Sequence, residues 1–199
     1  MKIKTIFIAC LFDVIVVTTI LGALIYFSTK EILRTNLIMQ GKNEVASLIR
    51  IQAKSHIPSE VFTESDITKT QNIFGSFFKE IDTGEILRIK VWDKNARIIA
   101  ANDPSIVGSA FPDNKSFQEA IKGKVTVDIK APIEPENIKE KGYAQLMEIY
   151  VPITSASGEI VGIIETYTKL DNLNNYIKTI QMELLGKIAI TVVVFLILL

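Results

Sequence analysis

Long apolar runs stand at both ends of the chain, and mixed polar and apolar residues fill the middle. Residues 5–27 carry one charge, Asp13, and a helix of this length, at about 1.5 Å per residue, crosses a hydrocarbon core of about 30 Å. Residues 188–199 are uninterrupted apolar sequence but reach only about 18 Å as a helix. We predict a transmembrane helix over residues 5–27 and, over residues 188–199, the start of a second membrane helix that is truncated.

The basic residues before the first apolar run predict its orientation. Lys2 and Lys4 precede the run, and basic residues are retained on the cytoplasmic side of a membrane. The N-terminus is therefore expected in the cytoplasm, and residues 28–185 form an extracytoplasmic domain held at the cell membrane. A cleaved signal peptide is the alternative, but its apolar region is typically about 7–15 residues long.

Two helices are predicted at the start of the extracytoplasmic segment. The first continues from the membrane span, because apolar residues recur at helical spacing with no proline before Pro58. The second begins at an N-cap, Ser65 or Asp66, and ends near Gly84. The apolar stripe of the first helix consists of Leu33, Leu37, Gly41, Val45 and Leu48. This stripe faces either the sheet or a second copy of the chain, and we predict a homodimer.

The remainder of the segment is rich in predicted strands. Five runs of β-type sequence occupy residues 86–92, 97–101, 124–129, 143–153 and 160–167. A short helix over residues 115–122 stands between the second and third strands, and residues 170–185 form a helix that enters the second span. This order of elements predicts an α+β domain with an antiparallel sheet.

Composition excludes several classes of function. The 199 residues carry 22 basic and 22 acidic side chains and 48% apolar residues, so bulk charge does not favour a nucleic-acid partner. The single cysteine, Cys10, lies in the first apolar run, so no disulfide is expected. The only histidine, His56, has no cysteine or second histidine near it, and no phosphate-binding loop or hydrolase motif is present. No metal, cofactor or catalytic residue is predicted.

Alternation along the strands identifies a polar face. If the apolar residues of the first strand pack on the helices, the residues between them face the other side, and the same period applies to the last two strands. The candidate ligand-binding residues on this face are Arg88, Lys90, Trp92, Glu148, Tyr150 and Glu165. The orientation of the last strand is open, because Val161 and Ile163 share the parity of Glu165. Two cations beside aromatic rings can hold a carboxylate, with Glu148 orienting the cations. The alternative is a ladder of ion pairs on a solvated face.

Four segments carry a family resemblance in this order: RIKVWDKNARIIAANDPSIVG at residues 88–108, FQEAIKGKV at 117–125, MEIYVPI at 147–153 and GEIVGIIETY at 158–167. The chain resembles the extracytoplasmic PAS-like sensor domains called Cache domains, of the single-module type, in bacterial and archaeal transmembrane receptors. The resemblance implies a five-stranded antiparallel sheet, a long N-terminal helix behind it, and a pocket for a small organic acid on the opposite face. Relatives continue into histidine kinases, chemotaxis transducers or cyclic dinucleotide enzymes.

The sequence is therefore interpreted as the sensing region of a signal-transduction receptor and not as an enzyme. The ligand is expected to be a small anionic or amphoteric metabolite held by Arg88 and Lys90, with Trp92 and Tyr150 as walls. Alanine at either cation is expected to abolish the thermal shift given by a carboxylate, with little change in the melting temperature of the unliganded domain. The alternative function is a membrane-tethered protein that binds a protein partner and has no small-molecule pocket.

Overall fold

Two compact units make up the chain in the computed structural model, which describes residues 2–64, 66–82, 84–133, 135–137 and 139–198. One unit comprises Met1–Met39 and Asp171–Leu199, and the other is Gln40–Leu170. Helix α1, Lys2–His56, contributes to both units, and helix α4, Asp171–Leu198, belongs to the first. Among the described residues, one helix, Ile6–His56, is long and apolar enough to cross a membrane. The spans assigned to residues 5–27 and 188–199 stay predictions, and Leu199 lies outside the described residues.

The second unit contains the predicted five-stranded antiparallel sheet, in the order β2-β1-β5-β4-β3. The strands are β1 Ile86–Trp92, β2 Ile98–Ala101, β3 Thr126–Lys130, β4 Leu146–Thr154 and β5 Ile160–Lys169. Strand β4 begins three residues later than predicted. The reason is local, since the Tyr143 amide donates to the Glu140 carbonyl in a turn at 3.0 Å and is not available to a sheet.

Helical segments cover one face of the sheet. In α1, Ala46, Ile49 and Ala53 are buried, and Gly41 faces the side chain of Met147 in β4. The Gly41 part of the predicted stripe therefore packs toward the sheet, while dimerisation stays a prediction. Helix α2, Ile67–Glu80, begins at Asp66, whose carboxylate accepts from the amides of the second and third following residues. The other predicted N-cap, Ser65, lies outside the described residues.

Shorter elements cover the opposite face. Helix α3, Lys115–Ala120, is capped by the Asn114 side chain and places Phe117 on the Trp92 ring, with 5.5 Å between ring centroids. A 3-10 turn, Pro104–Ile106, follows β2. Between β3 and β4 runs a segment that we call the cover loop, residues 131–142, which contains a second 3-10 turn at Pro135–Asn137. Both faces of the sheet are therefore covered, which the sequence pattern alone did not indicate.

The turn between β1 and β2 contains Ala96 in a backbone conformation that favours glycine. Ala96 adopts a left-handed conformation with φ of 58° and is buried. The Asp93 carboxylate stabilises this turn by accepting from the amides of Asn95 and Arg97 at 2.8 and 3.0 Å. The hairpin therefore forms without glycine.

Candidate functional site

The register of the central strands brings candidate residues from three strands together on one face. Lys90 of β1 stands opposite Glu165 of β5, and Glu165 stands opposite Tyr150 of β4. Glu148 stands opposite Tyr167, which has the same parity as Glu165. The polar face thus extends across three adjacent strands, and the last strand is oriented with Glu165 and Tyr167 toward the cover loop and α3.

Burial of this face distinguishes it from an ordinary sheet surface. Lys90 is 1% exposed, and Trp92, Glu148, Tyr150 and Glu165 are fully buried. The alternative prediction, a ladder of ion pairs on a solvated face, is therefore wrong in one respect. This face is buried and is not solvated. Buried charges are costly to desolvate and persist only where hydrogen bonds and opposite charges compensate them.

Lys90 lies at the centre of the network. Its Nζ donates to the Asn137 side-chain oxygen at 2.8 Å and to the Tyr167 hydroxyl at 2.9 Å, and it lies 3.9 Å from a Glu165 oxygen. The same ammonium stands over the Tyr167 ring at 4.5 Å from the centroid. Lys90 is therefore compensated by groups from β5 and from the cover loop.

Glu165 is the main carboxylate partner in the centre of the sheet. It accepts from the Trp92 indole nitrogen at 2.9 Å and from the Tyr167 hydroxyl. Burial raises the pKa of the Tyr167 hydroxyl well above its usual value, and the Glu165 charge raises it further. Tyr167 therefore stays protonated and remains a hydrogen-bond donor.

Glu148 has partners other than those predicted. It accepts from the Asn137 side-chain nitrogen at 3.2 Å and lies 3.3 Å from the Lys130 ammonium, whereas Lys90 pairs with Glu165. That Glu148 orients Arg88 and Lys90 stays a prediction, and the contacts of Glu148 described here are with Asn137 and Lys130.

Tyr150 and Trp92 lie under α3. The Tyr150 hydroxyl accepts from the Asn114 side-chain nitrogen at 2.9 Å, and Trp92 packs on Phe111 and Phe117. Burial raises the pKa of the Tyr150 hydroxyl well above its usual value, and the charge of Glu165 raises this pKa further. Neither ring lines the cavity beside Arg88. Both rings pack instead between the sheet and α3.

Arg88 stands at the edge of the polar face, next to a cavity of about 150 Å³. Its Nε donates to Glu140 at 2.6 Å, and its guanidinium lies 3.7 Å from Asp103. Lys139 completes this chain of charges by donating to Asp103 at 2.7 Å. Burial raises the pKa of Asp103, but the hydrogen bonds from Lys139 and Ser105 and the Arg88 charge outweigh it and bring the pKa to about 2. The cavity is lined by Arg88, Lys90, Asp103, Ser105, Ile106, Ser109, Phe111, Pro135, Lys139 and Glu140.

The partners missed by the sequence analysis come mostly from the cover loop. Asn137, Lys139 and Glu140 lie in a segment without helical or strand periodicity, so no pattern placed their side chains. Asp103 had one local signal, because it precedes a proline and accepts from the Ser105 amide at 3.1 Å as an N-cap. The expectation that Lys90→Ala leaves the melting temperature unchanged does not fit the burial of Lys90.

Features that would favour catalysis are weak. His56 is exposed at the end of α1, with Nδ1 3.0 Å from the Gln52 carbonyl of the same helix. Among the described residues, no group of three or more His, Cys, Asp or Glu side chains is arranged to hold a metal ion. The buried polar face is thus the candidate site of this chain.

Comparison with known proteins gives structural similarity only. No family model matches the chain, and no curated protein matches it. The sensor domain of E. coli DcuS is similar at 16% identity and a TM-score of 0.52, covering 71% of this chain and 98% of that domain. The sensor domain of the V. cholerae histidine kinase DctB gives 16% identity and a TM-score of 0.52, covering 72% of this chain and 54% of that one.

A chemoreceptor domain is also similar. The sensory domain of Campylobacter jejuni Tlp3, solved with isoleucine bound, matches at 14% identity and a TM-score of 0.51, covering 80% of this chain and 65% of that one. The chain therefore spans nearly all of the DcuS domain but only about half of DctB and two thirds of Tlp3. These similarities establish the fold, and they confirm the fold that the resemblance to single Cache sensor domains implied.

Proposed function

We propose that the chain is the ligand-sensing region of a transmembrane receptor and that it binds a small polar metabolite at the face around Lys90. The observation that carries the proposal is the burial of Lys90, Glu148 and Glu165 on one sheet face next to a cavity. A domain built only for stability gains little from such groups, because their desolvation offsets much of their mutual attraction. Buried charges beside a cavity are instead typical of binding sites.

An amphoteric ligand fits the charges at the site better than a simple anion. Arg88, Lys90 and Lys139 supply positive charge, but Asp103 and Glu140 line the same cavity. A ligand carrying both an acid and an amine can pair with both sets of groups, whereas a bare anion meets two carboxylates. The isoleucine bound to the Tlp3 domain has this character.

Signal transmission is proposed to follow chain connectivity. Glu165 and Tyr167 stand near the end of β5, and α4 begins at Asp171, only four residues after Tyr167. A ligand that changes the contacts of these side chains therefore acts close to the start of a helix that is predicted to enter the membrane. The coupling energy available to such allosteric systems is typically about 1–3 kcal/mol. We propose that the sensing domain is extracytoplasmic and the N-terminus cytoplasmic.

Arg88 provides the test of this proposal. A thermal-shift screen of amino acids and small carboxylates against the full chain in nanodiscs is expected to give a stabilising ligand. Arg88→Ala should weaken that ligand at least tenfold, because a charge-assisted contact is worth about 1.5–3 kcal/mol. The matched control is Lys94→Ala, which removes an exposed cation paired with Glu159. If the parent and both variants need the same ligand concentration for a half-maximal thermal shift, the ligand binds at another site, away from Arg88.

A further inference from the structure

Asn137 fills the centre of the buried polar face with its own side chain. It is fully buried, and it is delivered from the cover loop, in which Ala131, Ile133 and Lys139 are exposed. Both polar atoms of its carboxamide contact candidate site residues. The oxygen accepts from Lys90 at 2.8 Å and lies 2.6 Å from the Tyr167 hydroxyl, whose single proton is shared with Glu165, and the nitrogen donates to Glu148 at 3.2 Å.

These contacts define a subsite that prefers one kind of chemical group in a ligand. At one end it offers the Lys90 ammonium as donor, and at the other end the Glu148 carboxylate as acceptor. A primary carboxamide matches both ends, because it accepts through oxygen and donates through nitrogen. A carboxylate in the same place would set a second negative oxygen against Glu148, and like charges at this distance repel strongly in a buried site.

We propose that Asn137 is a built-in occupant of a ligand subsite, and that the subsite takes the primary carboxamide of a small molecule when the cover loop withdraws. The inference rests on the proposed function and adds a regulation to it: the ligand competes with a side chain of the receptor. Binding and withdrawal of the loop are then a single event.

The size of the cavity supports this competition. The free volume next to Arg88 is about 150 Å³, which is room for roughly five water molecules. Pockets for small-molecule ligands and cofactors usually measure about 300–1,000 Å³. A metabolite larger than a few heavy atoms therefore needs space beyond this cavity, and Asn137 holds adjoining space because it contacts Lys90, which lines the cavity.

The attachment of the cover loop to the rest of the domain includes two ion pairs. In its described part, Glu140 forms an ion pair with Arg88, and Lys139 forms an ion pair with Asp103. Ile133 of the same loop is 77% exposed, and the neighbouring Pro132 is the described apolar residue of the loop that is buried. Withdrawal thus exchanges hydrogen bonds for contacts with a ligand and water.

The expected size of the effect follows from population arithmetic. If the subsite is open in only a fraction of molecules, the apparent affinity for an added molecule is lower by that fraction. Removing the Asn137 side chain removes the internal competitor. A subsite that is open in one molecule in ten or fewer should therefore gain at least tenfold in affinity in Asn137→Ala.

Trp92 provides a direct readout. It is the only tryptophan in the chain, and its indole nitrogen donates to Glu165 within the same network. We would titrate the full chain in nanodiscs with acetamide, the free equivalent of the Asn137 side chain, and with sodium acetate at matched ionic strength. Ile133→Ala is the matched control, because it changes an exposed residue of the same loop.

Asn137→Ala should respond to acetamide with a midpoint at least tenfold below that of the parent and of Ile133→Ala, and acetate should bind it more weakly than acetamide. Equal acetamide midpoints in all three proteins, or no response in any, would overturn the proposal. Tighter binding of acetate by Asn137→Ala would overturn the carboxamide preference.

A second variant keeps the test valid if Asn137→Ala does not fold. Glu140→Gln leaves Asn137 intact but weakens the attachment of the cover loop to Arg88. It should therefore also lower the acetamide midpoint concentration, and an unchanged midpoint would count against the proposal.

A ligand found by the thermal-shift screen, combined with no gain in acetamide affinity in Asn137→Ala, would refute this inference alone. It would leave the proposed function standing.

Discussion

Lys90→Met is expected to destabilise the folded domain by about 3–5 kcal/mol, the range for removing one partner of a buried ion pair. The substitution leaves the Glu165 carboxylate buried without the ammonium that now lies 3.9 Å away. It also removes the donor to the Asn137 side chain and the cation over the Tyr167 ring. The loss should appear in urea denaturation of the full chain in detergent, followed by Trp92 fluorescence.

Lys94→Met is the control for Lys90→Met. Lys94 pairs with Glu159, and both side chains are exposed, so the loss should stay below about 1 kcal/mol. Adding Glu165→Gln to Lys90→Met should recover part of the lost stability, because the buried charge is then gone. If Lys90→Met is no less stable than Lys94→Met, the account of Lys90 as a compensated buried charge is wrong.

Gly162→Ala is expected to be the second most damaging substitution, with a loss of about 1–3 kcal/mol or more from overpacking. A Cβ atom at this position of β5 would lie 2.2 Å from the Phe62 ring and 2.5 Å from the Trp92 carbonyl oxygen. The second contact is to the backbone of the neighbouring strand, so it cannot be relieved by a rotamer change. Thermal melting followed by circular dichroism would measure the loss.

Gly75→Ala is the matched control for Gly162→Ala. Gly75 lies in the middle of α2, and an added Cβ there meets no atom within 4 Å. Alanine is a better helix former by up to about 1 kcal/mol, so this variant should be as stable as the parent or more stable. Equal melting temperatures for the two variants would show that the contact of Phe62 with β5 is loose.

Much of the fold could be predicted because its pattern is local. Alternation in β1 and helical spacing in α2 each specify an element from a short window, and the Asp66 N-cap defines where α2 begins. The ends of β4 and β5 were less predictable. Tyr143 and Lys169 have residue types that suit either a strand or a turn, and the partner of each backbone amide decides between the two.

The candidate site was predictable only as far as strand parity reaches. Parity put Lys90 and Glu148 on one face, because side chains on a strand alternate strictly, but it left Glu165 open because Val161 and Ile163 share its parity. It could not show that this face is buried, since burial depends on Asn137 and the rest of an irregular loop. Which cation pairs with which carboxylate is likewise set by register across strands, and a single strand does not contain that information.

Hydrogen–deuterium exchange of the full chain in nanodiscs, with and without a ligand from the thermal-shift screen, tests the central claim most directly. The claim is that a small polar molecule binds between the sheet face around Lys90 and the cover loop. Ligand should therefore change exchange in residues 103–109 and 131–142, which border the cavity. A larger groove of about 500 Å³, lined in part by Arg50, Lys54 and Pro152, is the natural comparison, because it is spacious but has no fully buried charge. Changes confined to that groove, with none in residues 103–109 and 131–142, would contradict the account.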